Sequence, residues 1–157
     1  MKPIKRSLLP NTVTLYNCYR DPDSGVVEYF DTKFQYTRIM NVSKTVHSGT
    51  TGWTRILQLE LWIDPFSSFA YATDSQGNKI KKIYAKPAAW EAMNNQDKAR
   101  HWTLQPLDLI VEGQIDFILT ADNQDQFMQQ HRPNAIESII PVLDKPGNVH
   151  HWEVNLV

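Results

Sequence analysis

Cys18 is the only cysteine in the chain, so no intrachain disulfide is possible. A single thiol fits a reducing compartment. It stands between Asn17 and Tyr19 in an alternating stretch, with no histidine nearby in sequence. A thiol nucleophile needs a base or a cationic environment to become a thiolate, so Cys18 reads as a packing or surface residue. The five histidines are His47, His101, His131, His150 and His151. None shows the i, i+4 helical spacing of a zinc pair. His150 and His151 are neighbours in a strand pattern, which sends them to opposite faces and argues against a shared metal. Asp108, Glu112 and Asp116 suggest an acid pair, but they are spaced around a bent strand edge and read as solvated charges. A hydrolase or metal enzyme built on His101, Asp108 and His151 is the weakest of three readings. No Gly-x-Ser-x-Gly elbow occurs. Ser48-Gly49-Thr50-Thr51-Gly52-Trp53 lacks both the lysine and the preceding apolar strand of a phosphate-binding loop. The expectation is a structural or binding protein, not an enzyme, with no catalytic residue, metal or cofactor.

The bulk properties point the same way. At 157 residues the chain fits one domain with a sizeable core. Hydrophobic residues make up 41% and charged residues 21%, which disfavours disorder. A formal net charge of −1 provides no global basic field for nucleic acid. The start of the chain is basic and only briefly apolar, short of a signal peptide, and no run approaches a membrane span. A soluble protein made without a classical export signal is expected.

Aromatic residues at 11% and nine prolines favour strands and turns. Residues 1–10 read as an extended arm carrying Lys2, Lys5 and Arg6, and 11–157 as one β-rich domain. Val13 and Leu15 alternate with Thr12, Thr14 and Tyr16, and a turn at 21–25 makes a hairpin. Residues 34–40 read as a third strand. Residues 41–54 read as a long mobile loop, being rich in Ser, Thr and Gly. Leu57, Leu59, Leu61 and Ile63 alternate with Gln58, Glu60 and Trp62 in the clearest strand. A turn at 74–78 separates two more strands. Pro87 opens a short helix, 94–100 reads as polar linker or a continued turn, 101–104 as a short strand, and 109–119 as two runs bent at Gly113. A second short helix spans 122–131, capped by Asp122. Two apolar-rich runs around Pro146-Gly147-Asn148 form a closing hairpin, with His150, Trp152, Val154 and Leu156 on one face. The expected fold is mainly β, a small antiparallel β-barrel or sandwich with one or two short helices.

The order of several short motifs resembles a known family. The chain opens Lys2-Pro3-Ile4 and Leu8-Leu9-Pro10-Asn11-Thr12-Val13-Thr14-Leu15-Tyr16. In the middle it has Tyr84-Ala85-Lys86-Pro87-Ala88-Ala89-Trp90, then Trp102-Thr103-Leu104-Gln105-Pro106-Leu107-Asp108-Leu109-Ile110-Val111-Glu112-Gly113. It closes with Ile139, Asp144, Gly147 and His151-Trp152-Glu153-Val154. This order is similar to the small minor capsid and head–tail connector proteins of tailed bacteriophages, especially those infecting Gram-positive bacteria. The similarity spans nearly the whole chain. In that family a Gly usually precedes the middle Asp, and here Leu107 stands in its place. The resemblance implies a β-barrel-like body, a ring of identical subunits in the virion neck, and no enzymatic activity. It also implies head or tail completion between portal and tail, with assembly in the bacterial host cytoplasm. The partners would be further copies of the chain, a portal or adaptor protein and tail proteins, with at most transient contact with packaged DNA and no membrane. The expected interface residues are Lys2, Lys5 and Arg6 in the arm, His47 and Trp53 in the loop, and Gln76 and Asn78 at a hairpin tip.

A carbohydrate- or ligand-binding β module is the second reading, resting on Trp53, Trp62, Trp90, Trp102 and Trp152. It requires at least two of these to be exposed and coplanar.

Overall fold

The structure, a computed structural model, describes residues 2–50 and 52–157. In chain order its strands and helices are β1 (Asn11–Arg20), β2 (Val27–Ser48), β3 (Gly52–Ile63), β4 (Phe69–Thr73), β5 (Lys79–Lys81), β6 (Ile83–Tyr84), α1 (Pro87–Glu91), α2 (Asn95–Arg100), β7 (His101–Trp102), β8 (Leu109–Glu112), α3 (Gln124–His131), β9 (Asn134–Lys145) and β10 (Asn148–Leu156). The main sheet runs β1-β8-β9-β10-β3-β2, and β1 pairs again with β2, so these six strands form an antiparallel ring. Strands β4 and β5 extend it from β2. The ring is thinnest between β8 and β9, where two residue pairs join. The chain adopts the expected mainly β class, a small antiparallel barrel or sandwich, with three short α-helices among the described residues where one or two were expected.

The 22-residue β2 shapes the ring because it serves two partners. Residues 27–37 pair with β1 and residues 38–48 with β3. At the changeover Gln35 faces Thr12 and Thr37 faces Asn11, leaving Tyr36 unpaired at φ 62. One extra residue in the left-handed region is a bulge, and it bends the strand. The Asn11 side chain accepts from the Ile39 N–H just past the bend, and Ser68 donates to the Tyr36 carbonyl.

Inside the ring, Val13, Leu15, Phe34, Leu61, Ile63, Trp102, Leu104, Ile110, Ile136, Trp152, Val154 and Leu156 form the main core. Trp102 anchors it, with Phe34, Tyr84 and Trp152 around it at ring separations of 4.8, 4.9 and 5.6 Å. Each such side chain contributes about 1.5–3 kcal/mol by leaving water. The outer face of β1 and β8 is also covered. Tyr16, Leu109, Val111, Leu119 and Phe127 make a second cluster there, under α3 and residues 115–119. The Tyr16 hydroxyl donates to the Phe117 carbonyl, and its ring meets Phe127 edge-on at 4.8 Å.

Several expectations need correction. Residues 41–54 are not a loop: 41–48 belong to β2 and 52–54 to β3, paired down to Ser48 opposite Gly52, with Gly49 and Thr50 in a turn and residue 51 outside the described residues. Residues 95–100 are a helix, because the Asn94 side chain accepts from the Asp97 N–H and caps it. Residues 115–119 form no strand and instead cross the second cluster. The strand at 101–104 is only β7, paired parallel with β6, and α1 and α2 lie between the two in the chain. Ahead of α3, Thr120 and Asn123 form a reciprocal capping box around a short 3-10 turn, the role expected of Asp122. The N-terminal arm is not free. The Ile4 N–H donates to Asp64 at 2.7 Å, Ser67 donates to the Ile4 carbonyl, Arg6 stacks on Tyr36, and Leu9 is buried.

Candidate functional site

Three places bring polar or apolar groups together in ways that matter for function. The first is Asp108, which the sequence places at a solvated edge and the fold buries. Leu107 before it takes φ 74, the backbone that glycine adopts without cost. That turn aims the carboxylate into one end of the ring. There it accepts from Asn17 Nδ2 at 2.7 Å, from the Cys18 N–H at 2.9 Å and from the Gln105 N–H at 3.0 Å. Burial pushes its pKa up to about 7, against the three N–H donors, which pull it down. An open cleft of about 410 Å³ runs past Cys18, Arg20, Glu91 and Asp108. Burial, then the Asp108 charge, raises the Cys18 thiol pKa, the opposite of what a nucleophile needs. Asp108 therefore acts as a plug that ties β1 to the 105–108 turn.

The second place is at the bulge in β10. Val149 faces Leu143 and His151 faces Val142, so His150 drops out of the ladder. The two imidazoles consequently meet, with their Nδ1 atoms 2.8 Å apart, one donating and the other accepting. This corrects the expectation of opposite faces. His151 lies against Trp62 at 4.7 Å, with Glu153 at 3.4 Å from its Nε2. His101 is elsewhere, its Nδ1 against the Asp97 carbonyl. No hydrogen bond or ring contact among the described residues joins His101, Asp108 and His151, and no cluster of three metal-binding side chains occurs among those residues.

The third place is the outer part of the β2–β3 hairpin. β10 pairs with β3 only at residues 59–63, and β1 pairs with β2 only up to Thr37. Beyond those limits the two strands have only each other as backbone partners among the described residues, and they project as a two-stranded arm. Trp53 is 73% exposed and Leu57 74%, while Val46 is also exposed. His47 meets the Trp53 ring edge-on at 4.9 Å, and Arg55 bonds the Ser43 hydroxyl across the pair. The chain therefore carries His47 and Trp53 to one exposed tip, as strand residues rather than loop residues.

Lys2 and Lys5 are exposed near the anchored N-terminus, and Arg6 is exposed with its guanidinium over Tyr36. Gln76 and Asn78 are exposed at the β4–β5 tip, where Asp74 accepts from both backbone N–H groups. Trp90, Trp102 and Trp152 are buried and Trp62 is half-buried, so two exposed coplanar tryptophans are not present. Leu57 is the large exposed apolar residue of this arm that sequence reading missed. It belongs to the same alternation as the core leucines, and only the shorter reach of β10 reveals that nothing covers it.

The sequence from residue 8 to residue 156 matches DUF6751, a family of unknown function. The chain belongs to the DUF6751 family. No curated protein and no solved structure matches it. In this DUF6751 chain no helix among the described residues is long and apolar enough to cross a membrane.

Proposed function

We propose that this chain is a structural protein of the neck of a tailed bacteriophage, a ring component between portal and tail with no catalytic role. The observation that carries the reading is where the resembling motifs converge. Leu9, Val13 and Leu15, then Tyr84 and Trp102, then Ile110, and finally Trp152 and Val154 come from four separate stretches. All but Leu9 and Tyr84 belong to the main core, and Tyr84 packs directly against it. Asp108 plugs its end through Asn17, after a turn in which Leu107, standing where the resembling family usually has a glycine, takes φ 74. These residues are thus part of the scaffold of one barrel, the body that the resemblance implies. The surface supports assembly over chemistry, since His101, Asp108 and His151 do not converge and the projecting arm presents apolar side chains. In this reading the virion is the chain's location, and its partners are copies of itself, a portal or adaptor protein and tail proteins.

The DNA flanking the gene tests this. Adjacent reading frames for a portal, a major capsid protein or a tail-tube protein are the expected result. Neighbours for sugar metabolism or secretion would overturn it.

A further inference from the structure

One face of β3 is core at its inner end and bare at its outer end. Leu61 and Ile63 are fully buried, Leu59 packs against the core, and Leu57 and Trp53 continue the same face outward, uncovered. Arg55 lies between them on that face, also exposed. Two-stranded arms are marginal alone in water, and their edges expose unpaired backbone groups. Residues 38–58 carry Arg38, Lys44 and Arg55 and no acidic residue. Residues 112–125 have the reverse character, with Glu112, Asp116, Asp122 and Asp125 and no Lys or Arg. All four acids are exposed, as are the apolar Ile118, at 84%, and Met128. Asp116 is paired with Lys33, and the other three acids are exposed in the same segment as Ile118.

We propose that the β2–β3 arm of one copy docks on the acidic, apolar 112–125 face of a second copy, head to tail. The topology favours this over two arms meeting. In the six-strand ring β3 and β8 lie three places apart in either direction, so the arm and the segment following β8 sit on opposite sides. Complementary patches on opposite sides of one subunit generate a ring or a filament, not a closed pair. Two arms facing each other would oppose Arg55 to Arg55, and two acidic faces would repel likewise. Trp53 and Leu57 then cover Ile118 and Met128, while Arg55 reaches Asp122 or Asp125. This contact specifies the self-association in the neck reading and rests on its ring.

Sedimentation velocity of the full chain decides it. The wild type is expected to grow in size with concentration, less so at high salt. Trp53→Ala with Leu57→Ser, and separately Asp122→Lys with Asp125→Lys, are each expected to be monomeric, with apparent affinity lowered at least tenfold. Ile118→Ser is a second variant of the acidic face that leaves the start of α3 intact. Mixed one to one, the arm variant and the acidic-face variant retain one good contact between them and are expected to form a dimer and nothing larger. Continued association of the acidic-face variants would show arm–arm contact and overturn the proposal, as would a monomeric mixture or a monomeric wild type. Any of these leaves the neck reading to its own test, particles made without the chain.

Discussion

Asp108 shows how far a side chain's role depends on residues distant in sequence. By spacing alone it is one more surface acid. It is buried because Leu107 turns the chain inward and because Asn17, 91 positions away, meets it. With a folded pKa near 7, well above its unfolded value, the folded chain holds a proton that the unfolded chain has lost between about pH 4 and pH 7. The stability due to this group is greatest at the acid end, declines as pH rises to 7, and is level beyond. Asp108→Asn removes that slope. The wild-type advantage over the variant, from urea unfolding at pH 5 and pH 7, is expected to shrink with rising pH by on the order of 1.4 kcal/mol per unit. The tryptophans differ as sharply. Trp102→Ala is expected to cost about 3–5 kcal/mol by opening the core, whereas Trp53→Ala stays within about 0.5 kcal/mol. Thermal or chemical unfolding of the two variants checks this. Which tryptophans are core was not legible in composition, since burial is decided by the ring that places them.

Strands were legible where one face is buried and silent where neither is. The alternation at 57–63 and the turn at Gly147, with φ 81, mark β3 and the β9–β10 hairpin plainly. Along 41–48, Asn41, Ser43, Thr45 and His47 share one face and Val42, Lys44 and Val46 the other. Neither face enters the core, so no hydrophobic period develops, and β-branched residues are the only local trace. The bulge that brings His150 beside His151 is equally hidden, because a one-residue slip leaves the pattern of types unchanged. Replacing residues 44–55 with an Asn-Gly turn is expected to leave the barrel folded, with near-UV circular dichroism differing only by the loss of Trp53. The same deletion is expected to abolish self-association in sedimentation. Loss of cooperative unfolding would mean instead that the arm belongs to the core.

The barrel and the surface are the two parts of the proposed account. The six-strand ring encloses the main core, and the DUF6751 match covers residues 8–156. What projects from the ring is an arm with exposed Trp53 and Leu57, and residues 112–125 carry four exposed acids, the two surfaces the proposed contact joins. The central claim, that this chain joins head to tail, is tested most directly by electron microscopy of particles from a phage deleted for the gene. The account predicts DNA-filled heads and separate tails, with joined infectious particles restored when the chain is supplied in trans. Joined, infectious particles in the absence of the chain would contradict it.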